Sequence, residues 1–351
     1  MPSSSMVTFR YRIKDATARQ HLLRMAWAVN TVWNYCNEVS LLVLRRDKRW
    51  LSAFELINLV AGTSKTLGLH ADTLSEICRE YVAKRRASGK ARLKWRSRKR
   101  SLGWLPFKAR FLRLEGDTIT YLGHRFRFWH SRPLEGMVKT GNFAQDARGH
   151  WYVNLQCAVQ NASEPPGRVE IGIDLGCVNQ LVCSDRPEPY SRENLTRKYA
   201  AQLAMAQRAR KARRVKAMHA KIASCRKDWA HKTTTEIVRR AKLIVVGNVS
   251  STQLAATRLA KSVYNAGWGQ LRTLLHYKAI RLGATYCEVN ESGSSVTCSV
   301  CLARSGPSGL RTLGVRVWTC TYCGFVHNRD LNAAHNILRL GRQALFRNPS
   351  T

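Results

Sequence analysis

The sequence predicts an α+β chain of several domains: a small β-barrel or sandwich interrupted by a helical insertion, then an α/β domain interrupted by a short cysteine-bearing insert. Three observations predict it. Short alternating segments, set apart by Gly, Asp and Pro turn signals, lie on both sides of a stretch with helical spacing. Beyond residue 167 the pattern changes to apolar strands joined by long helices. Towards the C-terminal end, two Cys-x-x-Cys pairs are separated by eighteen residues.

The elements follow in order. Val7-Thr8-Phe9-Arg10-Tyr11-Arg12 alternates apolar or aromatic residues with basic and polar ones, as a half-buried strand does. Residues 16–45 and 71–87 carry helical spacing, with Leu22, Met25, Ala26, Val29, Val32 and Trp33 on one face of the first. From about 104 to 160 strands return, at 111–114, 118–121, 126–129 and 151–155. Residues 161–167, with Pro165-Pro166, read as a linker. A strand at 170–175 then pairs with a hairpin partner at 180–184, and 195–241 is helical. Within that helix Val215, Met218, Ile222, Cys225 and Trp229 recur at three- and four-residue steps, a stripe for packing. An apolar run at 243–246, a crossover helix over 265–282 ending at Gly283, and a strand at 284–289 make a strand-helix-strand unit, whose strands should be parallel neighbours.

Composition narrows the function. The 351 residues (39.8 kDa, 44% apolar) suffice for about two domains with real cores. Lys and Arg total 59 against 22 acids, a formal charge of +37, so a polyanion is the expected partner. An apolar run of about 18 residues and an N-terminal h-region are both missing, which argues against a membrane surface and for a soluble, unexported chain. Eleven cysteines, several isolated in apolar stretches (Cys36, Cys157, Cys183), read as a reduced cytosolic or nuclear protein. Charge thickens over 79–100, with Arg85, Arg86, Lys94, Arg96, Arg98 and Arg100, and over 197–227, with Arg210, Arg213, Arg214 and Arg226. A solvated helix face is the bland reading. So many cations without interspersed acids favour phosphate contacts.

Three motifs carry chemistry. In the strand around Asp174, residues 169, 171, 173 and 175 are apolar and share one face, while Glu170, Gly172, Asp174 and Gly176 share the other. The glycines leave backbone-level space that suits a metal and a phosphodiester; taken alone, Asp174 fits a turn cap equally well. Cys298, Cys301, Cys320 and Cys323 have zinc-ribbon spacing, and four thiolates leave no open position for water, so this zinc is structural. After them, Asn328 caps a helix whose inward stripe is Leu331, Ala334 and Leu338 and whose C-cap is Gly341; Asp330 stands in its first turn, where the dipole keeps it ionised.

Ile-Gly-Ile-Asp-Leu-Gly at 171–176, Lys-Ile-Ala-Ser-Cys-Arg-Lys-Asp-Trp-Ala-His-Lys at 221–232, the paired Cys-x-x-Cys and Asn-Arg-Asp-Leu-Asn-Ala-Ala-His-Asn-Ile at 328–337 resemble the TnpB family. These are RNA-guided nucleases encoded by insertion sequences, ancestors of the type V CRISPR effectors and relatives of the eukaryotic Fanzor proteins. Phe9-Arg10-Tyr11-Arg12 and Asn30-x-x-Trp33-Asn34 also look like the family's wedge strand and recognition helices. The resemblance implies a wedge β-barrel (1–12 and 101–165) with a helical recognition insertion (13–100). It also implies an RNase H-like RuvC nuclease (168–292 and 324–345) interrupted by the zinc ribbon (293–323), and a tail at 346–351. It further implies a guide RNA transcribed from the transposon end, double-stranded target DNA beside a short adjacent motif, and a monomeric protein in a ribonucleoprotein. The setting would be the prokaryotic cytoplasm and nucleoid, or the nucleus of a eukaryote.

In such nucleases three carboxylates hold two Mg²⁺ ions, with Mn²⁺ as a substitute, about 3.5–4 Å apart. Asp174 matches the first carboxylate and Asp330 the third. Most members carry the second as a Glu directly after the strand matching 243–246, where this chain has Gly247-Asn248. Either the chain is a nuclease-dead, guided DNA-binding repressor, or another acid fills the place. Between Gly247 and Asp330 only Glu288 and Glu291 occur. Parallel pairing would set their strand about 4.8 Å from the first, within reach of a Glu. Glu291 stands at the strand's end and resembles the displaced glutamate of Fanzor proteins and a TnpB subset. The expected catalytic set is therefore Asp174, Glu291 and Asp330. A transposase proper is the weakest alternative, because the family does not itself move its element.

Overall fold

The structure, a computed structural model, describes residues 3–176, 179–248, 267–309, 312 and 314–347. The first two residues of the expected wedge, 177–178 and 249–266 of the expected nuclease segment, 310, 311 and 313 of the expected ribbon and 348–351 of the expected tail lie outside them. The chain divides into two compact units, Met6–Val159 and Gln160–Thr351 with Met1–Ser5.

The first unit joins strands and helices around one core. It comprises β1 (Ser4–Arg12), α1 (Ala16–Asp47), α2 (Ala53–Leu59), α3 (Ser64–Leu67), α4 (Ala71–Ser88), β2 (Trp104–Lys108), β3 (Leu112–Glu115), β4 (Thr118–Tyr121), β5 (His124–Arg127), β6 (Met137–Gln145) and β7 (Trp151–Gln160). One sheet has the order β1-β7-β6-β2 and a second is the meander β3-β4-β5. Alternation holds in β1, where Val7, Phe9 and Tyr11 are buried. The sequence reading gives no strand at 137–145. Its Gly141 is there because a Cβ would lie 2.4 Å from Asn154 O and 2.6 Å from the Phe107 ring. Phe9, Phe107, Phe126 and Phe143 share a core with Leu22, Val29 and Trp33 of α1, Leu56 of α2 and Tyr81 of α4. The helical insertion is thus packed on the strands that flank it.

In the second unit, β8 (Val169–Asp174), β9 (Val182–Cys183), β10 (Ala241–Gly247) and β11 (Thr285–Val289) form a sheet of order β11-β10-β8-β9. Helices α5 (Leu195–Lys198), α6 (Ala200–Arg208) and α7 (Ala212–Arg240) precede β10, and α8 (Trp268–Arg281) precedes β11. The expected helix over 195–241 is interrupted where Arg210 adopts a positive φ of 51°. On α7 Ile222 is buried but Cys225 is exposed, so the expected packing stripe holds only in part. Strand β10 is parallel to both β11 and β8, pairing Gly247 with Val289 and Val246 with Ile173, and β9 is antiparallel to β8. A small ribbon, β12 (Val317–Thr319) and β13 (Val326–Asn328), leads into α9 (Arg329–Arg347).

The period of two sorts the layers. Ile171, Ile173, Ile244 and Val246 pack with α7 and α8, while Leu243 and Val245 on the other face pack with Ile337 and Leu338 of α9. Two sequence expectations need correction here. A Cβ on Gly172 would lie 2.1 Å from Ala334 O and 2.7 Å from Leu338, so this glycine admits α9 and leaves no space for a ligand. Gly341 does not end the helix, which continues to Arg347; a Cβ there would meet Val245 at 2.3 Å, so it is a contact glycine against β10.

Candidate functional site

Parallel pairing brings the ends of β8, β10 and β11 to one edge of the sheet, and the carboxylates gather there. Asp174 ends β8. Glu291 follows β11 by two residues and folds back towards β10: a Cβ built on Gly247 would lie 1.8 Å from Glu291 Oε2 and 2.9 Å from its Cδ. The space that a side chain at 247 would use is filled by the carboxylate of Glu291. Asp330 comes from the first turn of α9, where Asn328 Oδ1 accepts from the N–H groups of Asp330 and Leu331 at 3.1 Å each. Its carboxylate accepts from Asn179 Nδ2 (3.0 Å) and Arg316 Nη1 (3.0 Å).

Two residues that sequence reasoning missed tie this set together. Asn332 Nδ2 donates to Ser294 O (3.2 Å) and Thr297 O (2.8 Å), and Asn336 Nδ2 donates to the same carbonyls at 2.9 and 2.7 Å. They pin the turn behind Glu291 to the helix that carries Asp330. The signal was available: two asparagines four residues apart lie on one helix face, beside the apolar stripe. Glu288, by contrast, accepts from Tyr286 OH (2.7 Å) and pairs with Arg272 (3.6 Å).

Burial sets Asp174 and Glu291 apart from ordinary carboxylates. Burial, then the charges of Glu291 and Asp330, push Asp174 up to about 8, although part of its surface stays open. Burial pushes Glu291 up to about 7 against the opposing charge of Arg272. Its Oε2 is buried with no hydrogen-bond partner. Enclosed, mutually repelling oxygens with an unmatched lone pair fit a hard divalent cation such as Mg²⁺ or Mn²⁺.

The four sulfurs of Cys298, Cys301, Cys320 and Cys323 lie within 4.8 Å of one another. No other three His, Cys, Asp or Glu donors among the described residues are drawn together in this way, the carboxylates included. Ser305 Oγ donates to Cys320 Sγ at 3.1 Å and holds this thiol down to about 6, and Cys301 N–H reaches Cys298 Sγ at 3.5 Å. His327, between Trp318 and Phe325, sets Nε2 3.0 Å from Cys298 Sγ. Sulfur ligands at this spacing, with hydrogen bonds behind them, fit Zn²⁺.

The basic candidates divide. Arg86, Lys94, Arg98, Arg100, Arg210, Arg213 and Arg214 are exposed. Arg226 bonds the Thr196 hydroxyl. Arg85 is only 5% exposed, donates to Leu51 O (3.0 Å) and lies 4.4 Å from the centre of the Trp50 ring. Arg96 donates to Asn30 Oδ1 (2.7 Å) and Leu102 O (3.1 Å) between Trp33 and Trp104. Both are packing residues here, at odds with the expectation of phosphate contacts, because partners distant in sequence claim their guanidinium groups.

Comparison with known proteins bears on the same regions. A family model described as "Cas12f1-like, TNB domain" matches residues 268–337, and one described as "Probable transposase" matches 154–258. A Streptomyces pristinaespiralis protein named "Putative RNA-guided DNA endonuclease" is 35% identical over 61% of this chain and 56% of its own length. An Escherichia coli protein, "Putative RNA-guided DNA endonuclease InsQ", is 27% identical over 62% of this chain and 60% of its own. The chain thus spans little more than half the length of these relatives. The structure titled "Cryo-EM structure of the Cas12f1-sgRNA-target DNA complex" aligns over 92% of this chain and 83% of that one, with a TM-score of 0.60 at 13% identity. The fold is therefore of the Cas12f type, mixed α and β. Within that class, its sequence is similar to a transposase family model and to proteins named as putative RNA-guided DNA endonucleases, in the regions whose motifs resemble TnpB. No helix among the described residues is long and apolar enough to cross a membrane.

Proposed function

We propose that this chain is an RNA-guided DNA endonuclease with a RuvC-like centre whose second carboxylate has moved from the end of β10 to Glu291. The observation that carries the reading is the carboxylate of Glu291 filling the side-chain space of Gly247, beside Asp174 and Asp330. The names of the relatives support it, and the charge of +37 suits a protein that holds an RNA–DNA heteroduplex by its backbone. A guide from the transposon end would supply sequence specificity by pairing. The unit with the wedge strands and recognition helices would read the motif beside the target, and one protein chain would serve each guide.

Asp174, Glu291 and Asp330 would hold the divalent ions, which when bound supply the charge that activates water and stabilises the leaving oxygen of a phosphodiester. The chain's own part is positioning. Asn179 and Asn328 orient Asp330 and the α9 N-terminus, and Asn332 and Asn336 hold the turn that aims Glu291. Arg316, beside Asp330, balances negative charge at the site's rim. Four cysteinyl sulfurs would hold one zinc that folds the ribbon and takes no part in hydrolysis.

The test is a ribonucleoprotein made by co-expressing the chain with its flanking RNA, offered a library of guided targets with Mg²⁺ or Mn²⁺. Cleavage should be lost in Asp174→Asn, Glu291→Gln and Asp330→Asn while guided binding persists, and Glu288→Gln should cut nearly normally. Wild-type protein that binds its target and never cuts would sink the nuclease reading.

A further inference from the structure

The segment after α4 is built to present a side chain. Gly89 ends α4 in the left-handed conformation (φ 63°), and the chain then runs beside α1 without regular structure until β2. Two buried asparagines of α1 hold it. Asn37 Nδ2 donates to Leu93 O (2.9 Å) and its Oδ1 accepts from Leu93 N–H (3.0 Å); Asn34 makes the same two-point pair with Arg96, at 2.7 and 2.8 Å. The anchored guanidinium of Arg96 completes the clamp. Between the two clamped residues stand Lys94 and Trp95.

Trp95 is 52% exposed, although the same loop sets a half-buried Arg96 between two other tryptophans. Arg92, paired with Glu38 at 3.2 Å, lies 6.0 Å from the centre of the Trp95 ring. Lys94, Lys99 and Arg100 are exposed and make no ion pair among the described residues. A large apolar ring held open to water by a rigid backbone loses little entropy on stacking, and the unpaired cations within five residues of it in the sequence repel one another until an anion arrives.

We infer that Trp95 is a stacking platform for an unpaired nucleobase, with the flanking phosphates taken by Lys94, Lys99 and Arg100. The inference rests on the reading of the chain as a nucleic-acid binder and adds a site to it. An unpaired base is the fitting occupant because only there is a π-face free, while phosphates one or two nucleotides away match the surrounding charge. RNA and DNA share this chemistry.

The test uses the full chain with single-stranded RNA and DNA oligonucleotides carrying 5-iodouracil, and with the matching duplexes, followed by irradiation and peptide mapping. Anisotropy across a salt series reports binding separately. The expected result is an adduct on Trp95 from a single strand, absent from the duplex and lost in Trp95→Ala. The melting temperature and salt slope of that variant should match the wild type, because no charge is removed. Replacing Lys94, Lys99 and Arg100 by Ala should lower the slope by about two, at roughly 0.7 per phosphate contact. Adducts confined to other aromatic residues, in strands that do bind, would overturn the platform and leave nucleic-acid binding standing; strands that do not bind at all would overturn both. An adduct from one arm alone identifies the sugar that the site accepts.

Discussion

Replacing Gly247 by Ala isolates the geometry on which the catalytic proposal stands. The new methyl carbon would start 1.8 Å from Glu291 Oε2, 2.9 Å from its Cδ and 3.1 Å from its Cβ. To reach ordinary contact the carboxylate must move by more than about 1.5 Å, whereas catalytic groups tolerate roughly 0.5 Å. A misplacement near 1 Å costs on the order of 100-fold in rate. The tip of a glutamate can swing aside, so the stability cost should fall at the low end for overpacking, about 1 kcal/mol. The expectation is a ribonucleoprotein that folds, loads guide and binds target, but cuts about 100-fold more slowly and binds Mn²⁺ more weakly by calorimetry. Moving the acid back, with Gly247→Glu joined to Glu291→Ala, should recover part of the rate; Glu291→Gln would not serve as the background, because its amide would still fill the space. Gly247→Ala protein that cuts within about threefold of wild type would refute the argument.

Other outcomes follow from the same structure. Asp174 and Glu291 are held above the ordinary carboxylate range, near 8 and 7. The metal-free folded state therefore binds protons that the unfolded chain has released, and stability should fall as pH rises from about 4 towards 8. Chelated Asp174→Asn should show a much flatter melting-temperature profile over that window; equal slopes would count against the burial of Asp174. Cys320→Ser should release about one zinc per chain and lower the melting temperature, checked by metal analysis, and a wild type without zinc would refute the ribbon. Arg96→Ala should cost about 2–3 kcal/mol in chemical denaturation, because it strips charged hydrogen bonds from Asn30 and Leu102 O. If it instead lowered only nucleic-acid affinity, with stability intact, its place in the clamp would be wrong.

Much of the second unit was legible because its signals are local. Apolar alternation gives β8, an unbroken apolar run gives β10, and the helix between β10 and β11 dictates their parallel pairing. That pairing, with the scarcity of acids between 247 and 330, narrows the choice to Glu288 and Glu291, and the family resemblance is what asks for a second carboxylate and favours Glu291. The contacts that decide side-chain roles were not legible, since they join distant parts of the chain. A sequence shows Arg85 and Arg96 as two cations in a basic run; only the fold supplies Trp50 and Leu51 for one and Asn30 for the other. Gly172 and Gly341 look like a ligand space and a helix stop until α9 lies across β8 and β10, at a distance no Cβ would permit.

The proposed move of the second carboxylate to Glu291 would have a structural consequence beyond the metal site. A glutamate at 247 would sit on β10, fixed by the sheet itself. Glu291 instead enters the insert that carries the four cysteines, and Asp330 stands where the chain leaves it. Between them, Asn332 and Asn336 grip Ser294 O and Thr297 O, Ser299 N–H bonds Asn332 Oδ1, and Arg316, just ahead of β12, reaches Asp330. Two of the three acids therefore depend for their aim on a segment too small to hold a core, in which Cys298, Trp318 and Cys320 form the only buried cluster among the described residues. Zinc is what can fix such a segment. A zinc held by the four sulfurs would thus act on the placement of Glu291 and Asp330 more directly than it would if the proposed second acid stood on the sheet.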